Sequence, residues 1–250
     1  MIRGICSYWR QHLAYYFCEG TTPAATLKNI LKNVIDSVTQ TGLIPMALIC
    51  DQGTTFQSCL RSFQNDSNKI YVNGHRLNII YDRTHLIKGI RNNFLNKDLI
   101  LNDKRARWHD IVEVYRADYQ LGSIRMLPKL TDEHVIPEKI KKMRVKYCTQ
   151  VLSERVGGML LYTSKYGQYA DGTPVSPTMK NTSDAVLFFD RLFDSVNGSR
   201  SSSAPHKLRG LVMEIRGVSK HITYWKEAIR ILKNTYFIEK NSNVHSLEFY

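Results

Sequence analysis

GLIPMALICDQG, residues 42–53, decides how the rest of the chain is read. This mostly apolar run closes on one carboxylate, Asp51, and on Gly53. A strand covered on both faces loses the polar alternation of a half-exposed one, so the stretch predicts a buried central strand. Gly53 lets the chain turn off the strand end, and Thr54 or Thr55 can cap the helix TFQSCLRSF that follows. Open α/β sheets place their sites beyond the carboxyl ends of strands, where a carboxylate suits a hard metal ion. A turn or helix-capping aspartate is the plainer reading of the same residue.

Upstream, HLAYYFC (His12 to Cys18) is aromatic-rich and strand-like. Thr21, Thr22 and Pro23 start a helix through about Gln40, whose Leu27, Ile30, Leu31, Val34, Ile35 and Val38 form one buried stripe. Downstream, IYVNGHRLNIIYD gives two strand runs around Asn73-Gly74, a pair that accommodates the positive φ angles of a tight hairpin. The alternation of strands and helices is an α/β pattern. After Asp82 comes the helix RTHLIKGIRNNFL. His85, Lys88 and Asn92 share one of its faces, with Arg91 a turn beyond Lys88, while Leu86, Ile87 and Ile90 lie opposite. Such a stripe of donors suits phosphate contacts, which makes His85, Lys88 and Arg91 candidate DNA-binding residues. A solvated helix face is the alternative.

Near residue 104 the pattern turns helical. WHDIVEVYRADY is one helix, and LPKLTDEHVIP is a linker with a cap at Thr131 or Asp132. Ile140, Met143, Tyr147, Val151, Leu152 and Val156 mark a single long helix. GQYADGTPVSP (Gly167 to Pro177) is a loop rich in helix breakers. Thr182 or Ser183 caps a helix with a wide apolar stripe from Ala185 to Val196, which Asn197-Gly198 terminates. A polar GSRSSSAP linker, a helix from Leu208 to Leu232 and a short strand TYFI complete the series. The expected fold class is therefore α/β: a mixed sheet over residues 1–103, an all-α block over 104–240, and a return to the first fold at 241–250.

The net charge is +13, which favours an anionic partner, with nucleic acid the commonest. Five cysteines with no CxxC spacing argue against a structural zinc site or a disulfide framework. No apolar run approaches the roughly 18 residues of a membrane span, and the amino terminus lacks a secretory signal pattern. No GxxxxGKS or GxxxxGKT stretch occurs, which excludes a Walker-type phosphate loop.

ALICDQG, YVNGHRLNIIYDRTHLIKGIRNNF, and the pair LPKLTDEHV and FFDRLFDSVN, in this order, resemble the P-element-type transposases and their domesticated THAP-type relatives. The resemblance runs across nearly the whole chain. It implies a ribonuclease-H-like domain, here incomplete, interrupted by a helical GTP-binding insertion. It implies magnesium- or manganese-dependent cleavage and joining of transposon-end DNA, nuclear localisation and self-association. Asp51 corresponds to the second acid of the family's catalytic triad, and so to its metal ligand. The first acid's strand is expected to precede Met1, and no QDxLExFF-like helix carries the third. Two metal ions about 4 Å apart need acids from several elements, so the chain is expected to be inactive alone. It departs from the family at Arg83 and Thr84, where two prolines are usual, and near Thr55 and Phe56, where an asparagine is.

In the insertion, the resemblance carries guanosine contacts onto Asp194 and Asn197 and a phosphate contact onto Lys129. Val151 and Ser153 are further candidates for the same pocket. An aspartate can accept both N–H donors on one edge of guanine, and an asparagine amide can donate to its O6. A helix ending in Asn-Gly is the alternative account of that pair. Two functions follow: a fragment of a transposase, or a catalytically dead remnant that binds guanosine nucleotide or DNA.

Overall fold

The computed structural model describes residues 1–7, 9–169, 171–197 and 220–240. The chain divides into two compact units, Met1–His85 and Leu86–Tyr250.

The first unit opens with two short antiparallel strands, β1 (Ile2–Arg3) and β2 (Arg10–Gln11). The HLAYYFC stretch is not the strand its composition suggests. No strand partner reaches it among the described residues, and Tyr15 and Phe17 stand 82% and 94% exposed. Helix α1 (Ala24–Gln40) starts directly after Pro23 and buries Leu31, Ile35 and Val38. It is followed by β3 (Ala47–Cys50) and α2 (Thr54–Arg61), then by the hairpin of β4 (Ile70–Val72) and β5 (His75–Tyr81). Asn73 and Gly74, at φ 49° and 81°, make its turn.

The sheet order is β3-β5-β4, with β3 parallel to β5 and β4 antiparallel to it. Ile35 of α1 packs with Val72 and Leu77 in a small core, with Phe63, Ile70 and Ile79 against it. The central strand is thus β5 and not β3. Among the described residues nothing pairs with the outer edge of β3, and Ile49 is 71% exposed. An apolar run reports that a strand can be covered on both faces; strand neighbours are set by distant segments, which the run does not contain.

Most of α3 (Arg83–Asn96) belongs to the second unit, where it leads into a hairpin of β6 (Lys97–Leu101) and β7 (Lys104–Ala106). Asn102 and Asp103 hold its turn at φ 49° and 59°. β8 (Tyr236–Glu239) pairs with the other edge of β6, so the helical block carries its own three-stranded sheet. Buried Asp98 anchors it through Arg105 and Arg107.

The remaining elements are α4 (Trp108–Gln120), α5 (Asp132–Val135), α6 (Val145–Val151), α7 (Glu154–Tyr166), α8 (Met179–Val196) and α9 (Lys220–Lys233). Trp108 sits at the centre of their core, edge-to-face with Phe94 at 5.6 Å, and its indole N–H donates to the Val135 carbonyl. The single long helix expected from Ile140 to Val156 is two. Leu152 leaves helical φ/ψ, and the Ser153 hydroxyl caps α7 by accepting the Val156 N–H. Met143, placed on the buried stripe by spacing, is 79% exposed in the turn before α6.

Thr182 and Ser183 do not cap α8; they lie fully buried inside it. Thr182 donates to the Asp110 carboxylate and Ser183 to the Gly157 carbonyl. A Cβ on Gly157 would meet Leu187 at 2.6 Å, so α7 and α8 approach as closely as they do because that position has no side chain. The expected GSRSSSAP linker, the start of the helix from Leu208, and residues 241–250 lie outside the described residues.

Candidate functional site

Two places carry chemistry, one in each unit. In the first, β3 delivers Asp51 to its carboxyl end as the sequence predicts, but at the sheet's edge. Asp51 Oδ1 accepts the Gly53 N–H at 3.1 Å, the local turn an aspartate makes two residues before a helix. Gly53 itself, not Thr54 or Thr55, occupies the cap position of α2. Asp51 Oδ2 accepts from none of the described residues. Beside it, Cys50 has its thiol pushed up by burial and then by the Asp51 charge.

The parallel ladder brings a second acid alongside. Cys50 is in register with Tyr81, and the Asp82 N–H donates to the Cys50 carbonyl at 2.8 Å. Asp51 and Asp82 therefore end adjacent strands, whose backbones run about 5 Å apart. Asp82 is spent locally: Thr84 donates its N–H to Oδ1 and its hydroxyl to Oδ2. That hydroxyl bond is the main reason its carboxyl is held below the usual range. His85 Nε2 lies 3.7 Å from Asp82 Oδ2. Among the described residues no three His, Cys, Asp or Glu side chains converge to hold a metal ion. These residues do not by themselves make a magnesium or manganese site.

The three donors expected on α3 do not behave alike. His85 is exposed and Lys88 half-buried, but Arg91 is wholly buried. Its guanidinium donates to Asn92 Oδ1 and, at 2.6 Å, to the Lys142 carbonyl, and one nitrogen has no partner. Burial lowers its pKa. Arg91 is therefore a core residue tying α3 to the segment before α6, and its candidacy for DNA is withdrawn. Spacing placed it a turn beyond Lys88; it could not reveal that the segment near Lys142 covers that face.

In the second unit, a cavity of about 330 Å³ is lined by Leu127, Lys129, Leu130, Thr149, Gln150, Ser153, Glu154, Arg155 and Val156. Lys129 arrives on a loop pinned by Asp118. That carboxylate accepts the N–H groups of Met126 and Leu127 and pairs with Arg125, which in turn donates to the Leu127 and Leu130 carbonyls. Lys129 and Arg155 make no ion pair among the described residues. Ser153 lines the wall, yet its hydroxyl is committed to the Gln150 carbonyl and to capping α7. Val151 is fully buried in the core behind it. Gln150 and Arg155 were not foreseen, since nothing in their sequence context marks them.

Asp194 is buried and Asn197 follows the last turn of α8, where its N–H donates to the Asp194 carbonyl. Neither belongs to the cavity lining. Gly157, one turn into α7, packs on Ser183 and Leu187 of α8.

The family described as "TNP-like, GTP-binding insertion domain" matches residues 84–208, half of the chain. The chain belongs to the P-element-type (TNP-like) transposase family. A second match, "TNP-like, RNase H N-terminal domain", covers residues 1–64. The chain is 22% identical over 208 residues to the Transposable element P transposase of Drosophila melanogaster, a match that spans 81% of this chain and 26% of that protein. It superposes on the Drosophila P element transposase strand transfer complex with a TM-score of 0.75 at 18% identity, over 97% of this chain and 52% of that one. The chain thus spans about a quarter of its curated relative and half of the solved one. No described helix is long and apolar enough to cross a membrane.

Proposed function

We propose that this chain is a portion of a P-element-type transposase whose helical unit binds guanosine nucleotide and whose first unit contributes Asp51 to a metal-dependent DNA-cleaving centre. The observation that carries the nucleotide reading is the cavity holding Lys129 and Arg155, two cations without a carboxylate partner among the described residues, inside the segment matched to a GTP-binding insertion. Lys129 supplies charge to the phosphates and Asp194 with Asn197 reads the base. The helix register supports this. The Val175 N–H donates to the Gly167 carbonyl, which brings the start of α8 back to the end of α7 and runs the two helices antiparallel, and continuing the Gly157–Ser183 register carries Asp194 past the first turn of α7, toward the end that holds Ser153. In a thermal melt of the whole chain, GTP at a hundred times its dissociation constant should stabilise by about 2.7 kcal/mol, whereas ATP at the same concentration should do far less. No shift with GTP would sink the proposal.

Asp51 supplies one acid at an edge of β3 that is unpaired among the described residues, where a further strand bearing a further acid could pair. A two-metal centre needs more carboxylates than Asp51 alone offers, since the Asp82 oxygens are held by Thr84. The purified chain should therefore neither cleave nor join transposon-end DNA in magnesium or manganese. Strand transfer abolished by Asp51→Ala would show that ligands come from elsewhere in the chain.

DNA remains the expected macromolecular partner, with His85 and Lys88 among the contacts. Each phosphate neutralised releases condensed counterions, so affinity should fall steeply between about 50 and 200 mM salt. Fluorescence anisotropy with a labelled duplex measures this; an affinity indifferent to salt would assign the +13 charge to solubility. The same features suit a catalytically dead remnant that acts only as a nucleotide- and DNA-binding module in the nucleus.

A further inference from the structure

We infer that His134 is a positioning residue that fixes the side-chain amide of Gln150, so that its NH2 group is presented to the Lys129–Arg155 cavity as a donor for a ligand phosphate oxygen. The inference rests on the nucleotide site proposed above and adds a specificity element to it.

Thr131 caps α5, and the residue three positions on is His134, where a capping box usually has Glu or Gln. The Thr131 backbone N–H lies 3.2 Å from His134 Nδ1, and the Thr131 hydroxyl lies 2.8 Å from the same nitrogen. A backbone N–H can only donate, so Nδ1 is an acceptor. In a neutral imidazole the proton must then sit on Nε2. Nε2 is 3.0 Å from the Gln150 side chain, and its partner must accept, so the amide oxygen faces His134. The orientation of the amide follows from the cap and not from the density of contacts around Gln150.

The ring cannot turn to offer another arrangement. His134 is 4% exposed and stacks on Tyr147 at 4.0 Å, and Tyr147 is held by its hydroxyl on Glu133 and by the Arg144 guanidinium. With its oxygen committed, Gln150 turns its NH2 away from His134, and that group donates to none of the described residues. Gln150 lines the cavity. The neighbouring hydroxyls cannot replace it, because Ser153 donates to the Gln150 carbonyl and Thr149 to the Lys146 carbonyl. The polar groups left to the cavity are then the donors Lys129, Arg155 and Gln150, with Glu154 the one acid, a set that suits oxyanions. A flipped amide would put an acceptor there instead and repel a phosphate.

Two substitutions keep the cap and remove the donor. His134→Asn keeps an acceptor where Nδ1 stands but loses the donor to Gln150. His134→Gln takes up the capping role that Gln usually has at this position, and with its oxygen on the Thr131 N–H it no longer holds a donor where Nε2 stands. Calorimetric titration of GTP and of inorganic pyrophosphate into the whole chain, with melting temperatures and ring ¹⁵N shifts of His134, tests the assignment. Expected are an Nε2–H tautomer and, in His134→Asn and His134→Gln alike, a fold that still melts cooperatively with affinity lost about tenfold or more. Gln150→Glu should lose affinity with His134 unchanged. Equal affinities in wild type and His134→Asn, or an Nδ1–H tautomer, would overturn this inference and leave the nucleotide site standing. A wild type that binds neither probe would overturn the site itself, and this inference with it.

Discussion

Asp118→Ala should cost the second unit about 3–5 kcal/mol of unfolding free energy, as expected when one partner of a buried ion pair is removed. Asp118 is fully buried, and its two oxygens accept the Met126 and Leu127 N–H groups and the Arg125 guanidinium. Arg125 is itself only 15% exposed and lies over the rings of Tyr115 and Tyr119, at 5.6 and 5.0 Å. Alanine would leave a buried cation and two buried N–H donors without an acceptor. Asp118→Asn should do nearly as badly, because its NH2 would face donors on one side. The loop so anchored carries Lys129, so nucleotide affinity should fall with stability in both variants. Urea unfolding followed by circular dichroism measures the change. A loss under about 1 kcal/mol would mean that the loop holds its shape without the carboxylate.

Asp194→Ala should erase the preference for guanine while leaving phosphate binding largely in place. Guanine offers N1–H and N2–H₂ to a carboxylate, whereas adenine presents a lone pair at N1 and no donor at C2. A desolvated mismatch of this kind costs about 1–3 kcal/mol, which corresponds to a preference of roughly tenfold to hundredfold. Burial of Asp194 at the end of α8 makes the larger value the better expectation, since water there is a poor competitor. Lys129→Ala should instead weaken GTP and ATP alike. The ratio of the two affinities is therefore the informative quantity, because a general loss of fold lowers both terms. A ratio unchanged in Asp194→Ala would return the residue to a helix-end role.

What the sequence conveyed well was local. Asn73-Gly74 demanded positive φ and made a hairpin, Pro23 opened α1, and Thr131 capped α5. The errors came where a distant segment decides. β3 reads as central because its side chains are apolar, yet its outer edge is bare among the described residues. Arg91 reads as a surface donor because its helical spacing is right, yet the segment around Lys142 buries it. Asn102-Asp103 forms the same kind of turn as Asn73-Gly74 but without the glycine that signals it, so the β6–β7 hairpin passed as the start of a helical block. Thr182 and Ser183 resemble helix caps and serve as buried donors to Asp110 and Gly157. Motif order singled out Asp51, which follows β3, and Lys129, which lines the cavity. Gln150, Arg155 and the acid Asp82 were not singled out, because each acquires meaning only from its neighbour in space.

The central claim is that the helical unit selects guanosine nucleotides. Isothermal titration of GTP, GDP and ATP into the whole chain tests it most directly. The account predicts that GTP and GDP bind and that ATP binds at least about tenfold more weakly. Equal affinities for GTP and ATP, or no heat with any of the three, would contradict it.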